Sequence, residues 1–204
     1  MYRPPAFQED RTEILHRAIR SYPLATLVTY GTKGITANLI PFSLHVDAGA
    51  GVLTAHLAKA NDQLRDLQSG LEALVIFQGP QAYVSPSWYA TKQEHGKAVP
   101  TWNYIVVQAR GLPELTDDKD WLLTHVDGLT EAQEHGRHDP WSVSDAPADF
   151  IAAQLKGITG LRLPIARLEG KWKVSQNQPA ANKAGIIAGL GSTTDMASAI
   201  SGLS

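Results

Sequence analysis

Residues 79 to 104 read GPQAYVSPSWYATKQEHGKAVPTWNY, and no single regular element can contain this stretch. Prolines at positions 80, 86 and 100 exclude a helix through most of it, because proline lacks a backbone N–H and clashes with the preceding turn. Val84 ends a run of β-type residues, and a β-branched and aromatic pattern resumes at Thr101. The pattern predicts a strand, a long loop and a second strand. The aromatic side chains of the loop would suit a flat ring or another subunit.

Short strands dominate the rest of the sequence. Strands are predicted at residues 24–30, 35–44, 52–57, 71–78, 158–168 and 171–175, with tight turns at 31–34 and 47–51. Pro41 interrupts the second of these strands, which predicts a bend or an edge there. Helices are predicted to begin near Asp10, Asn61, Thr116 and Ser144. Because the helices are inserted and do not alternate with the strands, the pattern favours a mainly β fold with α (α+β). We expect an antiparallel Greek-key barrel with peripheral helices, not a parallel doubly wound sheet.

The size of the chain indicates one domain over residues 1–204, since 204 residues with 43% hydrophobic composition can bury a sizeable core. Residues 1–178 would form the barrel with its inserted helices, and residues 179–204 would form a helical tail of small residues. Gly185 and Gly189 would weaken any tail helix, so the end of the tail is expected to be mobile.

Charge and cysteine content exclude several classes of protein. Eighteen basic residues against 20 acidic ones give a net charge of −2, so no overall positive field would attract nucleic acid or an anionic membrane. The lack of cysteine excludes disulfides, thiolate metal sites and a cysteine nucleophile. Neither a signal peptide nor a membrane-spanning apolar run is evident, which predicts a cytoplasmic protein.

A candidate anion site lies where a strand is followed by Lys59, Ala60 and Asn61 and then by a helix. The first N–H groups of a helix lack intrahelical partners, and a neighbouring ammonium completes a cradle that suits a terminal phosphate. The alternative is a surface lysine followed by a helix-capping asparagine, and the residue pattern by itself favours that alternative.

Two other polar groups are open to more than one interpretation. Strand alternation places Lys171, Lys173 and Ser175 on one face, where the two lysines could meet a phosphate or an acidic substrate, or simply face solvent. The seven histidines include His125, His135 and His138, but no pair has the spacing of a zincin motif. A solvated histidine-containing loop is therefore favoured over a metal site.

Several motifs resemble a known family. GPQAYVSPSWY followed by VPTWNY resembles the signature of the PaiB-type FMN-binding negative transcriptional regulators. Further matching segments are MYRPPAF at 1–7, AHLAKAN at 55–61, WSVSDAP at 141–147 and GKWKVSQN at 170–177. The resemblance covers nearly the whole chain. It implies an FMN-binding split barrel, a fold usually found as a homodimer with the flavin at the subunit interface.

The resemblance also implies which residues contact FMN. Lys59 and Asn61 would hold the phosphate, with Asp62 as a departure from the proline more frequent in the family. Backbone groups of Ala37, Asn38 and Leu39 would bond the polar edge of the isoalloxazine ring, the alternative being an Asn38 that faces solvent or a turn. Tyr83, Ser85, Trp88 and Tyr89 would add contacts to the ring, the alternative being core and interface packing. Trp102, for which packing is also open, and Gln176 would complete the set.

The implied role is negative transcriptional regulation. Neither a helix-turn-helix motif nor a basic stripe is evident, because acidic residues balance the arginines of the first helix, so any regulatory effect is expected to be indirect. The alternative is an FMN-dependent oxidoreductase of the flavin reductase or oxidase type, since the flavin itself supplies the reactivity. Haem binding is the least favoured alternative, with His95, His125, His135 or His138 as axial ligand.

Overall fold

The computed structural model describes residues 1–46, 49–92 and 96–202. The strands are β1 (Gln8–Glu9), β2 (Leu24–Gly31), β3 (Gly34–Pro41), β4 (Ser43–His45), β5 (Val52–Ala58), β6 (Ala73–Val84), β7 (Thr101–Gly111), β8 (Glu114–Thr116), β9 (Ile158–Pro164) and β10 (Arg167–Lys173). The α-helices are α1 (Thr12–Ser21), α2 (Gln63–Leu67), α3 (Lys119–Glu134), α4 (Ala148–Leu155), α5 (Ala180–Leu190) and α6 (Asp195–Ser201). Short 3₁₀ helices lie at Pro5–Phe7, Pro86–Trp88 and Val143–Asp145.

The chain divides into two compact units that alternate along the sequence. Unit 1 comprises Met1–Tyr22, Phe77–Gln108 and Glu169–Ser204, and unit 2 comprises Pro23–Ile76 and Ala109–Leu168. The chain therefore passes from one unit to the other four times, and strands β6, β7 and β10 each cross a boundary. Among the described residues, no helix is both long and apolar enough to cross a membrane.

Unit 2 contains an antiparallel hairpin and a four-stranded antiparallel sheet. Strands β2 and β3 pair continuously, and Gly34 closes their turn with φ of +96°, in the region that favours glycine. The sheet has the strand order β4-β5-β9-β8, with β5 and β9 in register from Val52 opposite Pro164 to Ala58 opposite Ile158. The predicted break near Pro41 is confirmed, because β3 ends there and β4 begins at Ser43.

Unit 1 combines the strand order β1-β10-β7-β6 with the last two helices. Its core is a cluster of buried side chains from β6, β7, the connection between them and the C-terminal segment: Val84, Tyr89, Ile105, Val174, Ile186, Met196 and Ile200. Helices α5 and α6 together contribute three members of this cluster, so the small-residue tail is part of the core of unit 1.

The stretch from 79 to 104 folds as strand, irregular connection and strand, as predicted. Strand β6 ends at Val84, a 3₁₀ turn covers Pro86–Trp88, and β7 begins at Thr101. Residues 47 and 48 of the predicted turn at 47–51 lie outside the described residues, as does His95 in the long connection.

Helix α5 approaches the chain at Trp88 closely enough to require glycine. A Cβ atom at Gly185 would lie 2.0 Å from the backbone oxygen of Trp88, and one at Gly189 would lie 2.3 Å from its indole ring. Real Cβ contacts are never this short, so the two glycines that were expected to weaken the helix are what lets it pack here.

We predict that Gly185→Ala destabilises the protein by about 1–3 kcal/mol, because the new methyl group collides with backbone that cannot move away cheaply. Gly128→Ala is the matched control, since Gly128 lies within α3 and a Cβ there meets nothing within 4 Å. The control should stabilise the protein by up to about 1 kcal/mol through higher helix propensity. Urea unfolding measures both changes, and a stabilising Gly185→Ala would contradict the packing argument.

Candidate functional site

The two faces of strand β3 differ in character. In the described residues β3 is the last strand of its sheet and pairs only with β2. Ile35 is 76% exposed and Leu39 is 65% exposed, and Ala37 between them is exposed as well. Together with apolar residues on the same face of β2 they form what we call the β2–β3 apolar face: Leu24, Val28, Tyr30, Ile35, Ala37 and Leu39.

The free edge of β3 is also a source of backbone hydrogen-bonding groups. In an antiparallel pair, alternate residues direct their N–H and C=O groups away from the partner strand. At an edge strand those groups are available to a ligand, as in β-augmentation. Residues 37–39 therefore offer donors and acceptors beside an apolar surface.

Asn38 points to the opposite face, where it meets a buried amide that the sequence pattern did not single out. Its Nδ2 donates to Oε1 of Gln63 at 2.9 Å. Gln63 is 1% exposed, and its Nε2 donates to the Leu27 carbonyl oxygen at 3.0 Å and to Thr29 Oγ1 at 3.2 Å. The backbone N–H of Gln63 donates to Oδ1 of Asn61 at 3.0 Å. Two of the predicted site residues, Asn38 and Asn61, are thus brought together through Gln63.

Lys59 lies between β5 and α2, with its backbone N–H donating to the Gly157 carbonyl oxygen at 2.8 Å. Its Nζ is 3.3 Å from Oδ1 of Asp117, and 44% of the side chain is exposed. The same Asp117 oxygen accepts from Thr159 Oγ1 at 2.8 Å. The hydrogen bond from Thr159, with a further contribution from Lys59, lowers the pKa of the Asp117 carboxyl. Asp117 is another residue that the sequence pattern did not reveal.

The predicted aromatic contacts lie in unit 1, where Tyr83 and Trp102 form an exposed pair. Their ring centroids are 6.0 Å apart at an interplanar angle of 72°, an edge-to-face arrangement. Tyr83 is 47% exposed and Trp102 is 52% exposed. Two exposed aromatic rings of this size offer apolar surface to a flat ligand or a protein partner.

The other predicted residues of unit 1 have intramolecular roles. Ser85 Oγ accepts from the N–H of Ser87 and caps the 3₁₀ turn, and Trp88 packs against α5. Gln176 Nε2 donates to the Ala6 carbonyl oxygen at 2.8 Å, while its Oε1 accepts from the N–H of Val174 at 2.9 Å. These contacts hold the segments together without a ligand.

A partly buried pair of histidines lies in unit 2, with His125 buried and His56 half-buried. His56 Nδ1 is 3.2 Å from His125 Nε2, and the imidazole of His125 stacks on Trp121 with centroids 5.2 Å apart. Burial lowers the pKa of His125 to about 4, helped by repulsion from His56 and His45, and burial also lowers the pKa of His56. Both rings are therefore neutral at pH 7.

The arrangement of His125 does not suit an axial ligand of haem, because its Nε2 faces His56 and the ring is 8% exposed. The other candidates, His135 and His138, lie exposed after the end of α3. Within residues 1–46, 49–92 and 96–202, no group of three or more His, Cys, Asp or Glu side chains is placed to hold a metal ion.

The residues of unit 2 fit FMN. The ring needs an apolar surface and hydrogen-bonding groups at its polar edge, and the phosphate needs a cation. The apolar face and free edge of β3 meet the first two requirements, and the exposed ammonium of Lys59 meets the third. Helix α2 has five residues, so its dipole adds little and most of the attraction for the phosphate falls to Lys59.

We predict that acid weakens the fold through His125. Its pKa in the folded protein, about 4, is below the ordinary value of 6.5, so the unfolded chain binds the proton first as pH falls. The free energy of unfolding should therefore decrease between about pH 6.5 and pH 4. His125→Gln should reduce this slope, whereas His138→Gln, in an exposed loop, should not. Urea unfolding at several pH values measures this dependence of the free energy of unfolding on pH. Equal slopes for wild type and His125→Gln would contradict the prediction.

Solved structures share the fold. The FAD and haem binding protein of Mycobacterium smegmatis is 21% identical and has a TM-score of 0.62, with 89% of this chain and 80% of that one covered. The flavocytochrome Anf3 of Azotobacter vinelandii is 14% identical with a TM-score of 0.60, over 81% of this chain and 69% of that one. The predicted fold class, a mainly antiparallel β fold with α of the flavin-binding split-barrel type, is confirmed.

Relatives of known sequence match most of the chain. An uncharacterized protein of Emericella nidulans is 33% identical, with 93% of this chain and 90% of that protein covered. Protease synthase and sporulation protein PAI 2 of Bacillus subtilis is 29% identical over 87% of this chain and 83% of its own length, which confirms the PaiB-type resemblance. The family model described as "Putative FMN-binding domain" matches residues 1–167 and confirms FMN as the predicted cofactor. The chain belongs to this family of FMN-binding domains.

Proposed function

We propose that the protein is an FMN-binding homodimer that acts in regulation without a dedicated DNA-binding motif. The name of its Bacillus subtilis relative, a protease synthase and sporulation protein, supports a regulatory role. The observation that carries the proposal is the free edge of β3, flanked by exposed apolar side chains, in the unit that also presents Lys59. When bound, FMN supplies a redox-active isoalloxazine ring.

In the proposed site, backbone groups of Ala37, Asn38 and Leu39 bond the polar edge of the ring. Lys59 binds the phosphate through its ammonium charge. Asn61 contributes through its side-chain amide, whose Oδ1 already accepts from the N–H of Gln63. The side chain of Asn38 acts indirectly, because its bond to Gln63 fixes the strand whose backbone contacts the ring.

The proposed residues of unit 1 divide into two groups. Tyr83 and Trp102 supply exposed ring surface for stacking. Ser85, Trp88 and Gln176 shape the segments around them through the contacts described above, and any contact they make with FMN adds to that structural role.

We predict that Lys59→Gln weakens FMN binding about tenfold, equivalent to about 1.4 kcal/mol, because the phosphate loses its cation. Asp117→Asn should strengthen binding about threefold, since it removes a competing carboxylate next to Lys59. Arg17→Gln is the control, with the same change of charge at an exposed position on α1 in unit 1. Flavin fluorescence titration measures all three, and a Lys59→Gln protein that binds FMN as well as wild type would refute the assignment of Lys59.

The homodimer is supported by the β2–β3 apolar face. Monomeric proteins rarely expose contiguous apolar patches of more than a few hundred Å². Here Tyr30 and Ile35 lie directly opposite each other in the hairpin, at 61% and 76% exposure. A second copy of the chain would cover this face, and the flavin edge would then be enclosed at the subunit interface.

We predict that Ile35→Glu converts the dimer to a monomer, because the interface would bury an unpaired carboxylate. The same variant should lose most of its FMN affinity. Phe150→Glu is the matched control, since Phe150 is a 52% exposed apolar residue on α4, outside the proposed interface. Light scattering gives the mass in solution, and a dimer that persists in Ile35→Glu would place the interface elsewhere.

Regulation is proposed to be indirect. The net charge of −2 offers little attraction to DNA, whose binding depends mainly on neutralising phosphates. We expect the effect to pass through the bound flavin or a protein partner. Tight, specific retardation of promoter DNA by the pure protein at physiological salt would contradict this part of the proposal.

We further propose that residues 1–204 act as one domain, located in the cytoplasm. The four passages of the chain between the two units support a single cooperative domain, because neither unit is a continuous segment. The urea curves used for Gly185→Ala test this as well, since two separate transitions would argue for two domains.

A further inference from the structure

A polar cavity in unit 1 remains outside the proposed flavin site. It has a volume of about 280 Å³ and lies among β7, the turn after β10, helix α5 and the loop that precedes β7. This volume is just below the range for ligand pockets, about 300–1,000 Å³, so the cavity suits a small metabolite. We call it the Lys97–Lys173 pocket after the two lysines in its wall.

The charge of the pocket favours an anion. Lys97 and Lys173 both line it, and the described lining residues include no carboxylate. The Lys173 ammonium donates to Thr101 Oγ1, a neutral partner that does not cancel its charge. An ammonium has three N–H donors, so two others remain for a ligand. Lys173 thus brings to the pocket a positive charge that its hydrogen-bond partner leaves uncancelled, in a protein whose net charge is −2.

The floor of the pocket is made of buried polar side chains held in fixed positions. Asn103 is 1% exposed and Ser175 is 4% exposed. Asn103 Nδ2 donates to Ser175 Oγ at 2.8 Å. Asn182, 2% exposed, accepts from the N–H of Thr91 at 3.1 Å and donates to Gln178 Oε1 at 2.9 Å. Such fixed amides and hydroxyls give a ligand specific hydrogen bonds at little cost in side-chain ordering.

The backbone at Ser175 provides an independent sign of function. Its φ is +59°, and among the described residues it is the one non-glycine with positive φ. A serine is held in this unfavourable region only where its surroundings determine it, and such residues cluster at ligand sites. The strained residue lies in the wall of the pocket, bonded to Asn103.

We propose that the Lys97–Lys173 pocket binds a small oxyanion, a metabolite with a carboxylate or phosphate group, separately from FMN. The proposal goes beyond the flavin function. The family model ends at residue 167, while Lys173, Ser175 and Asn182 lie after it, so part of the pocket is built by residues that the model does not match. A bound anion would bridge β10 and α5 and so couple metabolite level to the state of unit 1.

The test is calorimetric titration of the full-length, FMN-loaded protein with sodium succinate and, in a second arm, with inorganic phosphate at matched ionic strength. At least one anion should bind at millimolar concentration or below, and the one that binds better identifies the class of ligand. Succinamide, which is neutral and similar in shape to succinate, should not bind. Absence of binding by both anions up to about 20 mM, roughly 20 times a dissociation constant of about 1 mM, would refute the proposal.

Two variants locate the site. Lys173→Gln should weaken binding at least about tenfold, because the ammonium is lost while an amide can still reach Thr101. Val99→Glu should have a similar effect, since Val99 is 75% exposed and lines the pocket, so a carboxylate there repels the anion without disturbing the core. Lys156→Gln is the control for net charge and should bind as wild type does. An equal loss in Lys156→Gln would refute the site.

Competition with FMN separates this proposal from the flavin assignment. We expect the anion to bind equally well with and without FMN, and Lys59→Gln to leave anion binding unchanged. If the anion displaces FMN, the pocket is part of the flavin site and the claim of a separate site fails. If FMN binding fails the Lys59 test but the anion still binds in a manner that depends on Lys173, only the flavin assignment is lost.

Discussion

The buried amide of Gln63 is the contact on which the candidate flavin surface depends. Gln63 is 1% exposed, and burying its amide without hydrogen bonds would destabilise the fold by about 1–3 kcal/mol. Its hydrogen-bond partners are therefore needed for stability. It donates to the Leu27 carbonyl oxygen on β2 and accepts from Asn38 on β3, which ties helix α2 to both strands of the hairpin. Because the inner face of β3 is held in this way, its apolar side chains and free edge are presented to the outside.

Unit 1 is organised by side-chain amides on the same principle. Gln176 joins the N-terminal arm to the turn after β10 through Ala6 and Val174, and Asn103 joins β7 to that turn through Ser175. A buried amide can satisfy a donor and an acceptor at once, so it can fix two segments that share no secondary structure. Ser175 and Gln176 therefore have structural roles in unit 1, and the contact between Ser175 and Asn103 also shapes the Lys97–Lys173 pocket.

The fold could be predicted from the sequence where its cause is local. The hairpin follows from alternating residues on either side of Gly31–Gly34, and the break at Pro41 follows from the ring of that proline. The decisive contacts of the site could not be predicted, because each depends on a partner far along the chain. A glutamine at position 63 does not by itself indicate a buried amide bonded to Asn38. Nothing near Lys59 in the sequence indicates its contact with Asp117. Gly185 was expected to weaken its helix, because the close approach to Trp88 that requires a glycine there involves a residue far along the chain.

The contact between Lys59 and Asp117 is consistent with a role for Lys59 in binding phosphate. Both side chains are substantially exposed, at 44% and 63%, and exposed ion pairs contribute only about 0–1 kcal/mol. A phosphate carries more charge than one carboxylate and forms stronger charge-assisted hydrogen bonds, so it can displace Asp117. Asp117 would remain ionised after such an exchange, because the hydroxyl of Thr159 continues to donate to it at 2.8 Å. The pair therefore holds the lysine near the proposed site at little energetic cost, and the carboxylate keeps a partner when the lysine leaves it.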